Sequence, residues 1–285
     1  VATSTSREPD YVIRLMEDAA RANLQDPCRR GNLIELPAEG DVLLAGDLHG
    51  NSANFRRIVK MADLSGHPTR HLVLQELLHS MYQDTPDHSH VLVEEAAVLK
   101  NLYPKQVHII LANHDQAELF GLDIMKRGRS VLRAFAEGLE EAYAFNKDVI
   151  RTAYAKFLRT LPWAASTQYG LFMSHSMPNR QYVDLFSREL FTEGSPDDDM
   201  GKESPAYRLT WGRDLEASTA RKFLDRVGAD LLVTGHHPVR NGYVTPSPHH
   251  IILDCKDAHG ACALLPLDRE LALEDVVARV KYLNF

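Results

Sequence analysis

Apolar positions along this chain follow two patterns. Val12, Ile13, Met16, Ala20 and Leu24 recur at helical spacing, which predicts an amphipathic helix over residues 10–25 packed outside the core sheet. Short unbroken apolar runs at Leu43–Ala45, Leu72–Leu74, Ile109–Leu111, Leu171–Met173 and Leu231–Val233 predict strands. Between them, residues 51–62 read as a helix with Phe55, Ile58 and Val59 facing inward, and residues 89–102 as another. Val107–Leu111 reads as the next strand. Residues 116–161 read as a long helical stretch of two or three helices, covering the sheet or rimming a site. The segment from Glu193 to Glu203 combines turn formers and charge with no apolar period, so it predicts a loop. Runs at Ile251–Leu253 and Ala261–Leu265 suggest a second sheet, and the whole predicts an α/β fold of two sheets packed as a sandwich and flanked by helices. With no internal repeat and no linker, residues 1–285 are expected to form a single domain, with a core over about 42–267.

Composition narrows this picture. At 285 residues and 44% hydrophobic, the chain can bury one large core. A formal charge of −7 argues against non-specific nucleic-acid binding and leaves no polybasic patch for a membrane surface. No apolar run reaches the length of a membrane span, and the first ten residues, VATSTSREPD, lack a signal-like apolar core. A cytoplasmic location is the expectation. Cys28, Cys255 and Cys262 form no CxxC pair, and the last two read as apolar strand residues, not as a disulfide or a metal site.

The chemistry sits where the apolar runs stop. Leu43–Asn51 (LLAGDLHGN) carries Asp47 and His49 two residues apart and framed by glycines, a spacing that suits a divalent metal. Glu76 ends the second run, Asn113, His114 and Asp115 the third, His175 the fourth, and His236 and His237 the fifth. In open α/β sheets ligands bind at the carboxyl ends of strands, so these side chains should gather at one rim. Their mixture of oxygen and nitrogen donors suits a pair of ions such as Mn, Fe or Zn, and not a cysteine-built structural site.

The order GDLHGN, ANHDQ, a strand ending in Ser174-His175, then TGHH resembles the calcineurin-like metallophosphoesterases. It is most similar to their phosphoprotein-phosphatase branch, with its pattern GDxHG, GDxxDRG, GNH(E/D), HG and (G/A)H. The likeness runs from about Val42 to about Leu267, and takes in YAKFLRTLPWAA (Tyr154–Ala165), Trp211–Asp214 and GHHPVRNGY (Gly235–Tyr243). It implies the four-layer fold of that family, with two mixed β-sheets. It also implies that Asp47, His49 and Glu76 hold one divalent ion, while Glu76, Asn113, His175 and His236 hold the other. A metal-bound hydroxide would attack phosphorus, and His114 would protonate the leaving oxygen, with Asp115 helping to orient it.

The second motif departs from the family. Where the pattern has Gly-Asp-x-x-Asp-Arg-Gly, this chain has Gln75-Glu76-Leu77-Leu78-His79-Ser80-Met81. Glu76 keeps a bridging carboxylate one methylene longer. His79 replaces the aspartate that supports the catalytic histidine, and Ser80 replaces a phosphate-binding arginine that serine cannot mimic. Substitutes for that arginine are sought at Arg213, Arg180, Arg188, Arg208, Arg240, Arg56 and Arg57, with His237 a further pocket candidate and His259 a weaker one. The expected activity is hydrolysis of phosphate monoesters on a phosphorylated protein or small molecule, with a Ser/Thr phosphatase the first expectation. The alternatives are a nucleotide or dinucleoside polyphosphate hydrolase, or a metal- and phosphate-binding module weakened in turnover.

Overall fold

The computed structural model describes residues 7–81, 86–195 and 198–284. The first six residues of the chain and two residues of the Glu193–Glu203 loop therefore lie outside the described residues. Two mixed sheets, of seven and five strands, form the frame. In the five-stranded sheet Asp41–Asp47 lies between Arg70–Gln75, parallel to it, and Ala261–Pro266, antiparallel to it. Val107–Ile109 extends that sheet beyond Arg70–Gln75, and Val280–Tyr282 closes its other edge. In the seven-stranded sheet Leu171–Ser174, Leu231–Thr234 and His250–Leu253 run parallel in that order.

Residue alternation explains why these strands read as unbroken apolar runs. Val42 and Leu44 point into the layer between the sheets, where they join Met173, Val233, Ile251 and Leu265. Leu43 and Ala45 point the other way, into a second core with Leu15, Phe55, Ile58 and Ala97 from the covering helices. Both faces of the strand are buried, so neither can be polar. The helices Pro9–Leu24, His90–Leu102 and Lys147–Leu158 pack together in that cover. Ser52–Ala62 forms the helix after the first motif, its N-terminus capped by the Asn51 side chain accepting from the Asn54 amide at 2.9 Å.

Two expectations need correction. The stretch 116–161 is not helical throughout. After Asn113–Phe120 the chain makes a short hairpin, Met125–Lys126 paired with Arg129–Ser130, before the helices Val131–Tyr143 and Lys147–Leu158. Its turn is Arg127-Gly128, both with positive φ (50° and 81°), the conformation a tight two-residue hairpin demands and a helix forbids. The runs near Ile251 and Ala261 also do not share a second sheet. His250–Leu253 joins the seven-stranded sheet, whereas Ala261–Pro266 pairs with the first-motif strand in the other. The described part of the Glu193–Glu203 loop has no helix or strand. Cys28, Cys255 and Cys262 are free thiols, the last two buried. Among the described residues no helix is long and apolar enough to cross a membrane.

Candidate metal centre

The polar residues that end the strands meet where the two sheets touch. An isolated parallel bridge pairs Asp47 with Asp254, and the Cys255 amide donates to the Asp47 carbonyl at 2.9 Å. Asp47 ends a strand of the five-stranded sheet, Glu76 lies just past its neighbour, and His175 and His236 lie just past strands of the seven-stranded one. Asn113 and His114 open the helix Asn113–Phe120, just beyond Val107–Ile109. Gly235 must lack a side chain here, because a Cβ would lie 2.0 Å from Asp47 Oδ1. That close approach lets the His236 amide donate to both Asp47 carboxylate oxygens at 3.0 Å.

Two donor groups share Glu76. Ligand atoms of Asp47, Glu76 and His175 lie within 4.8 Å of one another, as do those of His49, Glu76 and His114. His175 Nε2 stands 2.8 Å from Asn113 Oδ1, 3.1 Å from His236 Nδ1 and 3.1 Å from Glu76 Oε2. His49 Nε2 is 3.9 Å from Asp47 Oδ2. The imidazoles are aimed from behind. His49 Nδ1 donates to the backbone carbonyls of Leu78 and His79 at 3.2 and 3.0 Å. His175 Nδ1 donates to Gln75 Oε1 at 2.9 Å, and Gln75 is itself fixed by donating to the Ala45 carbonyl at 3.1 Å. Such bonds leave Nε2 of each ring as a lone pair facing the centre.

The electrostatics favour a bound cation. Burial pushes the Asp47 carboxyl up to about 7, with Glu76 and Asp254 adding to the rise and His175 opposing it. Burial also raises Glu76 well above the usual carboxylate range, and holds His49 down to about 3 and His175 down to about 4. Glu76 Oε1 and His236 Nε2 are buried without a hydrogen-bond partner among the described residues. Acids that resist ionisation beside imidazoles that resist protonation form a set that a divalent cation would complement, so the donors fit the metals the sequence implies.

The surrounding cavity is small, about 40 Å³, and is lined by Asp47, His49, Glu76, Asn113, His114 and His236. Lys126, Arg213 and Lys256 complete its rim. It shares Met81, Lys126 and Lys256 with a neighbouring cavity of about 380 Å³ that also takes in Ser80, Arg127 and Arg129. Sequence reasoning misses Lys126 and Lys256 because one arrives on the unforeseen hairpin and the other lies just past a strand whose end carries no motif. Gln75 is missed because it looks like an ordinary strand end.

The other candidates are dispersed. Arg213 lines the cavity, but Arg180 is exposed and Arg188 pairs with Glu35. Arg208 pairs with Glu203 and lies over the Tyr182 ring, Arg56 pairs with Glu95, and Arg57 donates to Asn54 Oδ1. Arg240 is exposed, as is His259. His237 is half-buried with its ring edge-on to His236, 5.3 Å between centroids. Asp115 accepts from the Ala112 amide at 2.8 Å, which caps the helix carrying His114. His79 lies against His114, with their Nδ1 atoms 3.0 Å apart.

A family model described as calcineurin-like phosphoesterase matches residues 40–240. A probable serine/threonine-protein phosphatase of Encephalitozoon cuniculi is 25% identical over 232 residues, covering 74% of this chain and 46% of its own length. The chain thus spans about half the length of the curated relative it matches. Among solved structures, a protein serine/threonine phosphatase of Saccharomyces cerevisiae, described as similar to human phosphatase PP5, superposes with a TM-score of 0.67. The match is 12% identical and covers 91% of this chain and 83% of that one. A cold-active protein-tyrosine phosphatase of a psychrophilic Shewanella gives 0.55 at 14% identity, over 87% and 82% of the two chains. These superpositions speak to the fold.

Proposed function

The chain belongs to the calcineurin-like phosphoesterase family, and on that premise we propose that it is a metal-dependent hydrolase of phosphate monoesters. The observation that carries this reading is the convergence of five metal-type donors and His114 on one cavity rimmed by Lys126, Arg213 and Lys256, with a sixth donor, His175, buried against Asp47 and Glu76. Asp47, His49 and Glu76 would hold one divalent ion, and Glu76, Asn113, His175 and His236 the other. Two such ions, for which Mn is our first choice, would supply Lewis acidity and a hydroxide nucleophile near neutral pH. Lys126 and Arg213 would grip the phosphoryl oxygens in place of the arginine that Ser80 replaces, and His114 would protonate the departing oxygen. The names of the relatives favour a phosphorylated protein side chain as substrate. One feature favours a second reading: the adjoining 380 Å³ cavity carries Arg127, beside Arg129 and Lys256 that pair with Glu137 and Asp254, and a second anionic group of a substrate such as a dinucleoside polyphosphate would meet this cationic edge opposite Asp87 and Asp257.

Metal-stripped protein should hydrolyse p-nitrophenyl phosphate only after Mn is added. Two bound ions without turnover would favour the phosphate-binding module. A large preference for a dinucleoside polyphosphate over a phosphoserine peptide would select the second reading. Lys126→Ala and Arg213→Ala should each raise KM about tenfold or more, the scale of a lost charge-assisted hydrogen bond, without releasing metal. Unchanged KM in both would remove them from the phosphate clamp.

A further inference from the structure

Replacing the family's supporting aspartate with His79 does not leave His114 without a carboxylate. The carboxylate has moved one imidazole further back. His79 is fully buried, its Nδ1 lies 3.0 Å from His114 Nδ1, and its Nε2 lies 3.5 Å from Glu118 Oε2. Those last two atoms are both buried with no hydrogen-bond partner among the described residues, so each faces the other across 3.5 Å with its hydrogen-bonding capacity unspent. Glu118 stands four residues after His114 on the helix Asn113–Phe120, hence on the same face, with His79 inserted beside both. Arg151, from the helix Lys147–Leu158, donates to the other oxygen, Glu118 Oε1, and so fixes the carboxylate in place.

We propose that Glu118 is a positioning residue which, through His79, sets the tautomer and orientation of His114. The inference rests on the phosphoesterase reading only in taking His114 as the group that faces the ester. A carboxylate opposite Nε2 of His79 keeps the proton on that nitrogen, so His79 offers a lone pair at Nδ1. Two facing Nδ1 atoms can hold a single proton between them, and it must then belong to His114. His114 Nε2, on the cavity side, is left free to take up a second proton, and the resulting imidazolium faces the ester. When the P–O bond to the leaving group breaks, its electron pair stays on that oxygen. The oxygen takes the proton from Nε2, and His114 becomes neutral imidazole with Nδ1–H still held by His79. Without the carboxylate, His79 can place its proton on Nδ1 and force His114 into the opposite tautomer, which is how loss of the orienting carboxylate acts in serine-protease triads.

The test is Glu118→Gln, an isosteric change, made alone and together with His79→Asp, which puts a carboxylate directly against His114. Turnover of phenyl phosphate, whose leaving group needs a proton, is compared with that of p-nitrophenyl phosphate, whose leaving group hardly does, in Mn-loaded protein. Glu118→Gln should lower kcat about tenfold or more on phenyl phosphate, a share of the usual worth of general acid catalysis. The loss on p-nitrophenyl phosphate should be clearly smaller. In the His79→Asp background Glu118→Gln should cost nothing further. Equal losses on both esters, no loss at all, or the same loss in both backgrounds would overturn the proposal while leaving the phosphoesterase reading intact. A wild-type protein that hydrolyses neither ester would instead defeat the phosphoesterase reading. The nitrogen spectrum of the His114 ring in zinc-loaded protein decides the tautomer independently of turnover: Nδ1–H in the native chain and a shift toward Nε2–H in Glu118→Gln, with no shift refuting the relay.

Discussion

Replacing Glu76 with alanine is expected to abolish metal-dependent turnover and to lower metal content together with it. Glu76 alone belongs to both donor groups, so its removal weakens both at once. Its carboxylate is 1% exposed and held between His175 on one side and the His49–His114 pair on the other. The activity loss should exceed about a hundredfold, since outer-shell partners of metal ligands alone reach that scale. Glu76→Asp supplies the control: it restores the family's residue and keeps the charge, so activity should largely survive. Metal analysis and kcat on p-nitrophenyl phosphate check both statements. Full turnover with two ions bound in Glu76→Ala would remove the bridging role.

His114→Asn should separate chemistry from metal binding. His114 lines the cavity yet is aimed from behind by a histidine and not by a metal partner. Burial, followed by the nearby rings of His49 and His79, holds its pKa well below the usual imidazole value. A ring that gives up its proton readily beside a cation-binding centre is a suitable donor to a departing oxygen and a poor structural anchor. The variant should lose roughly a hundredfold to ten-thousandfold in kcat, the range for general acid–base groups, while retaining both metals. The deficit should widen as the leaving group becomes more basic. Unaltered kcat across a series of aryl phosphates would exclude His114 from proton transfer.

Residues that end buried strands were legible in the sequence, because an apolar run fixes both the position and the direction of the side chains at its end. Asp47, Glu76, Asn113, His175 and His236 end or closely follow such strands, and the structure brings them together. Sheet membership was less legible. Ile251 and Ala263 are equally apolar, and only long-range pairing sends one to each sheet. Side chains that reach the site from elsewhere left a weaker trace. Lys126 depends on the Arg127-Gly128 turn, a two-residue signal inside a segment whose apolar spacing is helical on either side. Arg188 is one of the candidate arginines, but an acid, Glu35, claims it. Glu118 reads as a charged surface position on a helix until His79 is seen beside it.

Backbone angles at the centre carry a consequence for how this protein can change. Among the described residues eight non-glycine positions have positive φ, and His49, Glu76, His79 and His236 account for four of them, at 45°, 50°, 60° and 67°. Left-handed backbone at a residue with a Cβ costs on the order of 1–2 kcal/mol. The scaffold bears that strain at the positions where a side chain must point inward. Selection for stability alone would drift these four positions toward glycine or asparagine, and each such step would relax the chain while stripping the centre of a candidate ligand or of its support. Thermal robustness and chemical competence therefore pull in opposite directions along these four sites, and the fold holds both only while the rest of its core has stability to spare.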